Sequence, residues 1–378
     1  MNMKIVNGTV FVNHGFTKKD ILIRNGKFEE IAEPGMLGGT EEESVINAAG
    51  KYVIPGLVDV HTHGRIGLDF SKITEEELEK LLESYRACGI TSVVATTMTN
   101  EPAVVEKSLQ VIGAYIKKQE NATCNSRARL LGIHMEGPFL GREKKGAHDE
   151  EYLQNPDWEW FEKMQELSGG NIRVVTVDPC LSGAEEFISN CVANGVKVSL
   201  GHTVCNYETA VKAEKLGANR VTHTFNAMNP LHHREPGLIG AAMDTGMFTE
   251  LICDGIHVHP AMIRMMFAVH RDKVVLVSDS IPVAGMPAGE YTSGGLTVMS
   301  KNGKAVLADG TIAGSAVNLF DCMINAINFG VPAEYAVNSA TYLAAKSIGM
   351  EHVAGSIAVG RSANCLIADK EWKEVLFI

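Results

Sequence analysis

The sequence predicts an α/β fold: a (β/α)8 barrel with a small β-sandwich domain formed from both termini. Eight apolar runs typical of buried parallel strands recur through the middle of the chain. Helical patterns separate these runs, and such alternation is typical of a parallel barrel. Both chain ends instead consist of short strands and turns. We therefore expect a small domain from residues 1–54 plus 355–378 and a barrel from residues 55–354.

The strand-like runs of the middle segment lie near residues 57–63, 92–98, 130–136, 173–178, 196–201, 219–225, 250–257 and 274–279. Between them, residues 74–89 and 206–218 show helical patterns that end in glycine, as helix C-termini often do. The first begins with Thr74 and has Glu77 three residues on, which is a capping-box signature. A doubly wound open sheet is the alternative, but no Gly-rich dinucleotide-binding fingerprint supports it.

The N-terminal stretch contains two Asn-Gly pairs, and this dipeptide is the strongest short signal for a hairpin turn. They predict turns at Asn7-Gly8 and Asn25-Gly26. From about Gly355 the chain again consists of short strand-like runs separated by turn residues. Because chain ends often lie close together in domains, one small β domain assembled from both ends is expected.

Composition excludes several classes of function. The formal net charge is −11, which argues against a nucleic-acid partner. No window approaches 18 consecutive apolar residues, so we expect no membrane span. The N-terminus lacks the apolar core of a signal peptide. The chain has eight cysteines but no C-x-x-C pair. We therefore expect reduced thiols and a cytoplasmic location.

Metal-binding residue types recur where the predicted strands end, and in such barrels function lies at the C-terminal ends of the strands. Side chains at i and i+2 of a strand point to the same side, so two histidines in LVDVHTHG converge. Imidazole nitrogens and carboxylate oxygens suit a divalent transition metal. Six such groups could hold two ions about 3.5–4 Å apart, bridged by the glutamate. The six candidates are His61, His63, Glu136, His202, His223 and Asp279.

Longer motifs resemble a known family. PGLVDVHTHG, GIHMEGPF, KKGAH, LGHT, HTFNAM, REPGLIGA, DGIHVHP, VSDS and GTIAGSA occur in this order along the chain. Together they resemble the amidohydrolase superfamily and, within it, the N-acetylglucosamine-6-phosphate deacetylase family. The resemblance implies hydrolysis of the acetamide of this phosphosugar, in amino-sugar catabolism, with one or two divalent ions per subunit (zinc, iron or similar).

The resemblance also implies roles for the metal-site residues. His202, His223 and Glu136 resemble the ligands of the best-occupied metal position, and His61 and His63 those of a second ion. Asp279 resembles the catalytic aspartate, a general base that later donates its proton to the leaving amine. His148 of KKGAH is expected to stabilise the oxyanion and to contact the substrate.

The remaining expected substrate contacts concern the phosphate and the sugar. Asn226, the backbone of Ala227, and His257 are implied to bind phosphate. Arg234 resembles an arginine that reaches in from the neighbouring subunit of a homodimer. Ala313 completes the expected substrate-binding set. Two segments, GRIGLDF after the paired histidines and VTVDPC on the fourth strand, depart from the family pattern and leave the sugar's hydroxyl stereochemistry open.

Three alternatives stay open to different degrees. A deacetylase of a related sugar phosphate, such as N-acetylgalactosamine 6-phosphate, is compatible with the same motifs. Cyclic-amide hydrolases of the superfamily commonly bridge their metals with a carboxylated lysine, so Glu136 disfavours them. A non-catalytic scaffold is disfavoured because every expected position is filled.

Overall fold

The computed structural model describes residues 2–38, 43–120, 126–301 and 303–378. Five strands form its N-terminal part. They are β1 (Met3–Val12), β2 (Gly15–Arg24), β3 (Lys27–Ala32), β4 (Ser44–Asn47) and β5 (Tyr52–Pro55). β1 pairs antiparallel with β2, and β2 pairs antiparallel with β3. β1 also pairs in parallel with β4 near its start and with β5 near its end.

The two Asn-Gly pairs have different structures. Asn25-Gly26 makes the expected turn between β2 and β3, with φ of 50° and 71°. The turn expected at Asn7-Gly8 is wrong, because β1 continues through it with a register shift against β2 between Ile5 and Gly8. Asn7 has φ of 63° there, as the left-handed residue of a bulge does. The positive φ that suits Asn-Gly to a turn therefore occurs here in a bulge, and the strand continues past it.

The barrel strands follow the predicted runs. They are β6 (Leu57–Thr62), β9 (Ile90–Thr97), β10 (Arg129–Glu136), β11 (Ile172–Val177), β12 (Lys197–Leu200), β13 (Arg220–Val221), β14 (Phe248–Ile252) and β15 (Val274–Val277), with the short ribbon β7 (Gly64–Arg65) and β8 (Leu68–Asp69) after the first. The eight barrel strands neighbour one another in chain order, and all of these pairings are parallel. Beyond β15, the amide of Asp279 donates to the carbonyl of His61 at 3.0 Å, which joins the last strand to the first. The predicted barrel is therefore confirmed.

Helices surround the barrel and bury their apolar faces against it, and the last of them packs against interior residues of the barrel such as Val58 and Val174. They are α1 (Glu75–Arg86), α2 (Pro102–Gln119), α3 (Trp158–Leu167), α4 (Ala184–Ala193), α5 (Tyr207–Lys215), α6 (Gly237–Thr245), α7 (Pro260–His270), α8 (Leu319–Asn328), α9 (Ala333–Ala340) and α10 (Tyr342–Ser347), with short 3₁₀ turns at Arg142–Lys144, Glu150–Tyr152 and Arg271–Lys273. The capping box of Thr74 and Glu77 is present at the start of α1. Among the described residues, no helix is long and apolar enough to cross a membrane.

A four-stranded antiparallel sheet between the last barrel strand and α8 was not predicted. It consists of β16 (Gly289–Ser293), β17 (Leu296–Lys301), β18 (Lys304–Val306) and β19 (Ile312–Ser315). Gly294-Gly295 connects its first two strands with φ of 55° and 82°. That dipeptide is a hairpin signal that could have revealed the sheet.

The C-terminal strands complete the terminal domain. β20 (Cys365–Ala368) pairs antiparallel with β5, and β21 (Val375–Phe377) pairs with β20. The result is one seven-stranded sheet drawn from both ends of the chain, and the predicted β domain from both termini is confirmed. Its exact boundaries, 1–54 plus 355–378 against 55–354 for the barrel, remain a prediction. The cysteines in the described ranges are free thiols.

Candidate metal-binding active site

A cleft of about 510 Å³ lies at the C-terminal ends of the barrel strands, where the sequence placed the site. The expected residues that line it are His63, Glu136, His148, His202, His223, Asn226, Ala227, His257 and Asp279. His61 is fully buried next to His63 and contacts the same carboxylates. The six predicted metal ligands therefore meet, although they come from five different strand ends.

Glu136 lies between two pairs of histidines and offers a different oxygen to each. Its Oε2 is 3.3 Å from Nε2 of His61 and 2.9 Å from Nε2 of His63. Its Oε1 is 3.3 Å from Nε2 of His202 and 3.1 Å from Nε2 of His223. Glu136 is therefore the residue that the two histidine pairs share.

Asp279 completes the first group of ligand atoms. Its Oδ1 is 3.4 Å from Nε2 of His61 and 3.2 Å from Nε2 of His63. The ligand atoms of these three residues and Glu136 all lie within 4.8 Å of one another. On the other side of Glu136, the Nε2 atoms of His202 and His223 are only 2.9 Å apart.

The hydrogen bonds of two imidazoles show which ring nitrogen is available to a cation. His61 Nδ1 faces Oε2 of Glu250 at 2.8 Å, and His202 Nδ1 faces the carbonyl of Lys144 at 2.7 Å. Because each of these partners accepts, each Nδ1 carries a proton, and Nε2 is the nitrogen that each ring would offer to a cation at the centre. This arrangement fits a divalent cation, with His61, His63, Glu136 and Asp279 on one side and His202 with Glu136 on the other.

The electrostatics of the site favour positive charge. Burial opposes a charge on His61, but Glu136, Glu250 and Asp279 outweigh it and raise its pKa well above the ordinary value. Burial likewise opposes a charge on His63, yet Asp279 and Glu136 raise its pKa to about 9. Burial alone would raise the pKa of Glu136, whereas the surrounding histidines, led by His61, lower it well below its usual range. The carboxylates thus stay ionised and available to a cation.

His148 has the opposite tautomer. Its Nδ1 accepts from the backbone N–H of Thr99 at 3.2 Å and faces the Thr99 hydroxyl at 2.9 Å. The proton of the neutral ring therefore lies on Nε2, 3.6 Å from Oε2 of Glu136. Burial lowers the pKa of His148 to about 4, so the ring is neutral at pH 7. His148 consequently directs an N–H donor into the cleft.

Several site residues have backbone conformations that L-residues rarely adopt. Positive φ values of 49°, 25°, 51° and 47° occur at His202, His223, Ala227 and Asp279. Non-glycine residues in this region are strained by about 1–3 kcal/mol each, and such residues cluster at functional sites. The four residues come after the ends of barrel strands and line the cleft.

The other expected substrate contacts divide into two sets. Asn226 and Ala227 line the cleft, as does His257, whose Nδ1 donates to Oδ2 of Asp254 at 2.7 Å. Ala313 is instead 2% exposed, and its side chain packs in a small apolar cluster while its neighbours on β19 line the cleft. Arg234 lies on a separate surface groove of the same chain, where its Nη1 is 2.7 Å from Nε2 of His233.

Four contributors to the site were not predicted from the sequence. Glu250 and Arg220 form a buried ion pair behind His61, and the sequence signal was a charge within each of two apolar strand runs. Thr99 sets the tautomer of His148, and the inserted antiparallel sheet adds Ile312 and Gly314 of β19 to the lining of the cleft. No local sequence pattern marks Thr99.

A family model for the amidohydrolase family matches residues 52–376. The chain belongs to the amidohydrolase family. It is a hydrolase that acts on amides. The motif resemblance is thereby confirmed, and the metal dependence general in this family agrees with the buried cluster of histidines and carboxylates.

Two similar proteins are both named N-acetylglucosamine-6-phosphate deacetylase. The N-acetylglucosamine-6-phosphate deacetylase of Bacillus subtilis (strain 168) is 34% identical over 333 residues, which are 87% of this chain and 84% of that protein. The mouse (Mus musculus) deacetylase is 32% identical over 384 residues, covering 97% of this chain and 90% of its own.

Two solved structures of N-acetylglucosamine-6-phosphate deacetylases have the same fold as this chain. The deacetylase from Pasteurella multocida superposes with a TM-score of 0.92 at 29% identity and covers 100% of this chain and 98% of its own. A mutant from Mycobacterium smegmatis, in complex with N-acetyl-D-glucosamine-6-phosphate, has a TM-score of 0.90 at 27% identity, covering 98% of this chain and 96% of its own.

Proposed function

We propose that this amidohydrolase removes the acetyl group of N-acetylglucosamine 6-phosphate, yielding glucosamine 6-phosphate and acetate. The observation that carries the proposal is the position of Glu136, one oxygen of which faces each histidine pair at the floor of the cleft. The relatives at about a third identity, all named for this reaction, support the substrate class.

One or two divalent cations would be held by His61, His63, Glu136, His202, His223 and Asp279, and when bound would supply Lewis-acid activation of water and of the amide carbonyl. Asp279 takes the proton of the attacking water as general base. The Nε2–H of His148 donates to the carbonyl oxygen as negative charge develops on it. Asp279 then gives its proton to the leaving nitrogen, so the products are an amine and a carboxylate.

The phosphate contacts are part of the proposal. Asn226, Ala227 and His257 line the same cleft. The side-chain amide of Asn226 and the backbone N–H of Ala227 offer donors for phosphate oxygens. His257 offers an Nε2–H in its cationic form, because its Nδ1 already donates to Asp254. Arg234 does not line the cleft of its own chain, so its proposed role requires a second subunit. A guanidinium suits phosphate because two of its N–H groups can bond one phosphate group.

A deacetylase of the galactosamine epimer is the second candidate, favoured only by the two departures from the family pattern. In the structure, Arg65 of GRIGLDF is directed away from the cleft and donates to the carbonyl of Ser84 at 2.7 Å. Asp178 of VTVDPC accepts from the amide of Cys180 at 2.9 Å. Among the described residues, neither segment lines the cleft, so neither departure itself indicates an altered sugar pocket.

The test is acetate release from a panel of N-acetylated hexosamines, with and without 6-phosphate, after reconstitution with zinc or iron(II). We expect N-acetylglucosamine 6-phosphate to give the highest kcat/KM. We expect enzyme whose metal has been removed by a chelator to be inactive. Hydrolysis of unphosphorylated sugars alone would refute the phosphate assignment. A higher kcat/KM for N-acetylgalactosamine 6-phosphate would favour the second candidate.

A further inference from the structure

A buried ion pair lies inside the barrel, behind the metal ligands. Arg220 on β13 and Glu250 on β14 are both fully buried, and Nη2 of Arg220 donates to Oε1 of Glu250. Arg220 also donates from Nη1 to the hydroxyl of Ser347 on α10 at 3.0 Å. Neither charged residue lines the cleft, so neither contacts substrate.

Stability does not account for this pair. Transferring two charges into a protein interior costs several kcal/mol per ion, and replacing buried pairs by apolar residues is often neutral or stabilising. The interior of the barrel also holds apolar residues, including Val58, Val174 and Ile252. The function of the pair is therefore to be found in what Glu250 contacts.

Glu250 contacts both histidine pairs through one oxygen. Its Oε2 accepts from Nδ1 of His61 at 2.8 Å and from the backbone N–H of His223 at 3.1 Å. Its other oxygen is held by Arg220, so the carboxylate has a single orientation. By contrast, Nδ1 of His63 has no hydrogen-bond partner among the described residues. Glu250 thus holds the buried ring of the H-x-H pair.

The consequence for His61 concerns the orientation of its ring. The contact between Nδ1 and Oε2 of Glu250 occupies one ring nitrogen and directs the other, Nε2, to the centre of the cluster. There, Nε2 lies 3.3 Å from Oε2 of Glu136 and 3.4 Å from Oδ1 of Asp279. Without Glu250, Nδ1 loses this acceptor and the ring loses the contact that fixes its orientation.

We infer that Glu250, held in place by Arg220, is a positioning residue that presents Nε2 of His61 to a cation and thereby controls loading of the position formed by His61, His63, Glu136 and Asp279. The inference rests on the proposed metal-dependent function. Partners of this kind typically change metal affinity by about 10–100-fold.

Two variants test this inference. Arg220→Met/Glu250→Leu removes both charges and keeps an apolar interior, so it separates folding from ligand orientation. Glu250→Asp keeps the charge pair but withdraws the carboxylate from His61, and it tests the inference even if the double variant fails to fold. Ser347→Ala is the matched control, since it removes one contact of Arg220 and leaves the bond between Glu250 and His61.

The measurements are the thermal unfolding midpoint, metal content after dialysis against graded chelator, and the absorption spectrum during Co²⁺ titration. In each folded variant we expect one of two ions to be held about 10–100-fold more weakly, with the other retained. Ser347→Ala should bind both ions as the wild type does. Wild-type affinity for both ions in either variant, or equal loss in Ser347→Ala, would overturn the inference. A wild-type protein that binds no divalent cation would instead refute the proposed function.

Discussion

Glu136 is the residue on which both halves of the candidate metal site depend. Each of its oxygens faces two imidazole Nε2 atoms at distances between 2.9 and 3.3 Å. The histidines around Glu136 differ in role according to which ring nitrogen is directed at the centre of the site. His61 and His202 direct Nε2 inward as the atom available to a cation, because acceptors occupy their Nδ1 atoms. His148 directs a proton inward, because a donor occupies its Nδ1.

Asp279→Asn tests the proposed general base. The amide has nearly the same shape but cannot take the proton of the attacking water. We expect kcat to fall by at least about 10²–10⁴-fold. Metal content, measured alongside, should remain because the other ligands remain. Wild-type turnover by a metal-replete Asp279→Asn protein would contradict the role.

His148→Leu separates an oxyanion donor from a metal ligand. Leucine is of similar size but donates no hydrogen bond, so we expect kcat to fall by about 10²–10³-fold. Because Thr99 keeps the His148 proton on Nε2, the metal stoichiometry of the variant should equal that of the wild type. Loss of a bound ion would show instead that His148 is a ligand.

At the scale of secondary-structure elements, the inserted strand β19 supports the loop that carries Asp279. The backbone N–H of Ser315 donates to the carbonyl of Asp279 at 2.8 Å. Gly314 permits this approach, because a Cβ there would lie 2.5 Å from Cγ2 of Ile281 and 2.9 Å from the Asp279 carbonyl oxygen. An unpredicted sheet therefore helps to position the proposed catalytic base.

Gly314→Ala tests that support, with Gly310→Ala as its matched control. Both glycines have positive φ, 60° and 88°, but a Cβ at Gly310 would meet nothing within 4 Å. Each alanine should cost about 1–2 kcal/mol of stability through its backbone conformation. Only Gly314→Ala should also lower kcat, by about 10²-fold for a displacement near 1 Å.

Unfolding midpoints and steady-state kinetics of the two glycine variants provide the readout. Equal kcat values in the two variants would show that β19 does not position Asp279. The comparison is informative because Gly314 on β19 and Gly310 in the turn before it both have positive φ, and only a methyl group at Gly314 would meet other atoms.

At the scale of the whole molecule, the phosphate site is proposed to require two chains. Arg234 lies outside the cleft of its own subunit. We expect Arg234→Ala to raise KM for the phosphorylated substrate by about 10–100-fold, the equivalent of one charge-assisted hydrogen bond. KM for the unphosphorylated sugar should not change.

A hybrid experiment distinguishes a shared site from a remote effect of Arg234. Co-expressed Arg234→Ala and Asp279→Asn subunits should form heterodimers with one site that has both native residues. Activity at low substrate should then exceed that of either parent variant. Absence of any gain in a purified heterodimer, or a monomeric mass for the active wild type, would contradict the shared site.

Local sequence was sufficient for features that near neighbours determine. The H-x-H spacing placed His61 and His63 on one side of a strand, and the capping box at Thr74 and Glu77 placed the start of α1. The alternation of strands and helices predicted the barrel, which in turn placed six ligands at one rim. The sign of the φ angle was also predictable at Asn7, but not whether it would form a turn or a bulge.

Tertiary structure alone decided the contacts between distant residues. His61 and Glu250 are 189 residues apart, and their bond exists only because strands of the barrel meet around one interior. The tautomer of His148 likewise depends on a backbone N–H 49 positions earlier. Residue types and their periodicity determined the fold class and the metal chemistry. Which nitrogen carries each proton depends on partners that the closed barrel brings close, and no local pattern identifies those partners.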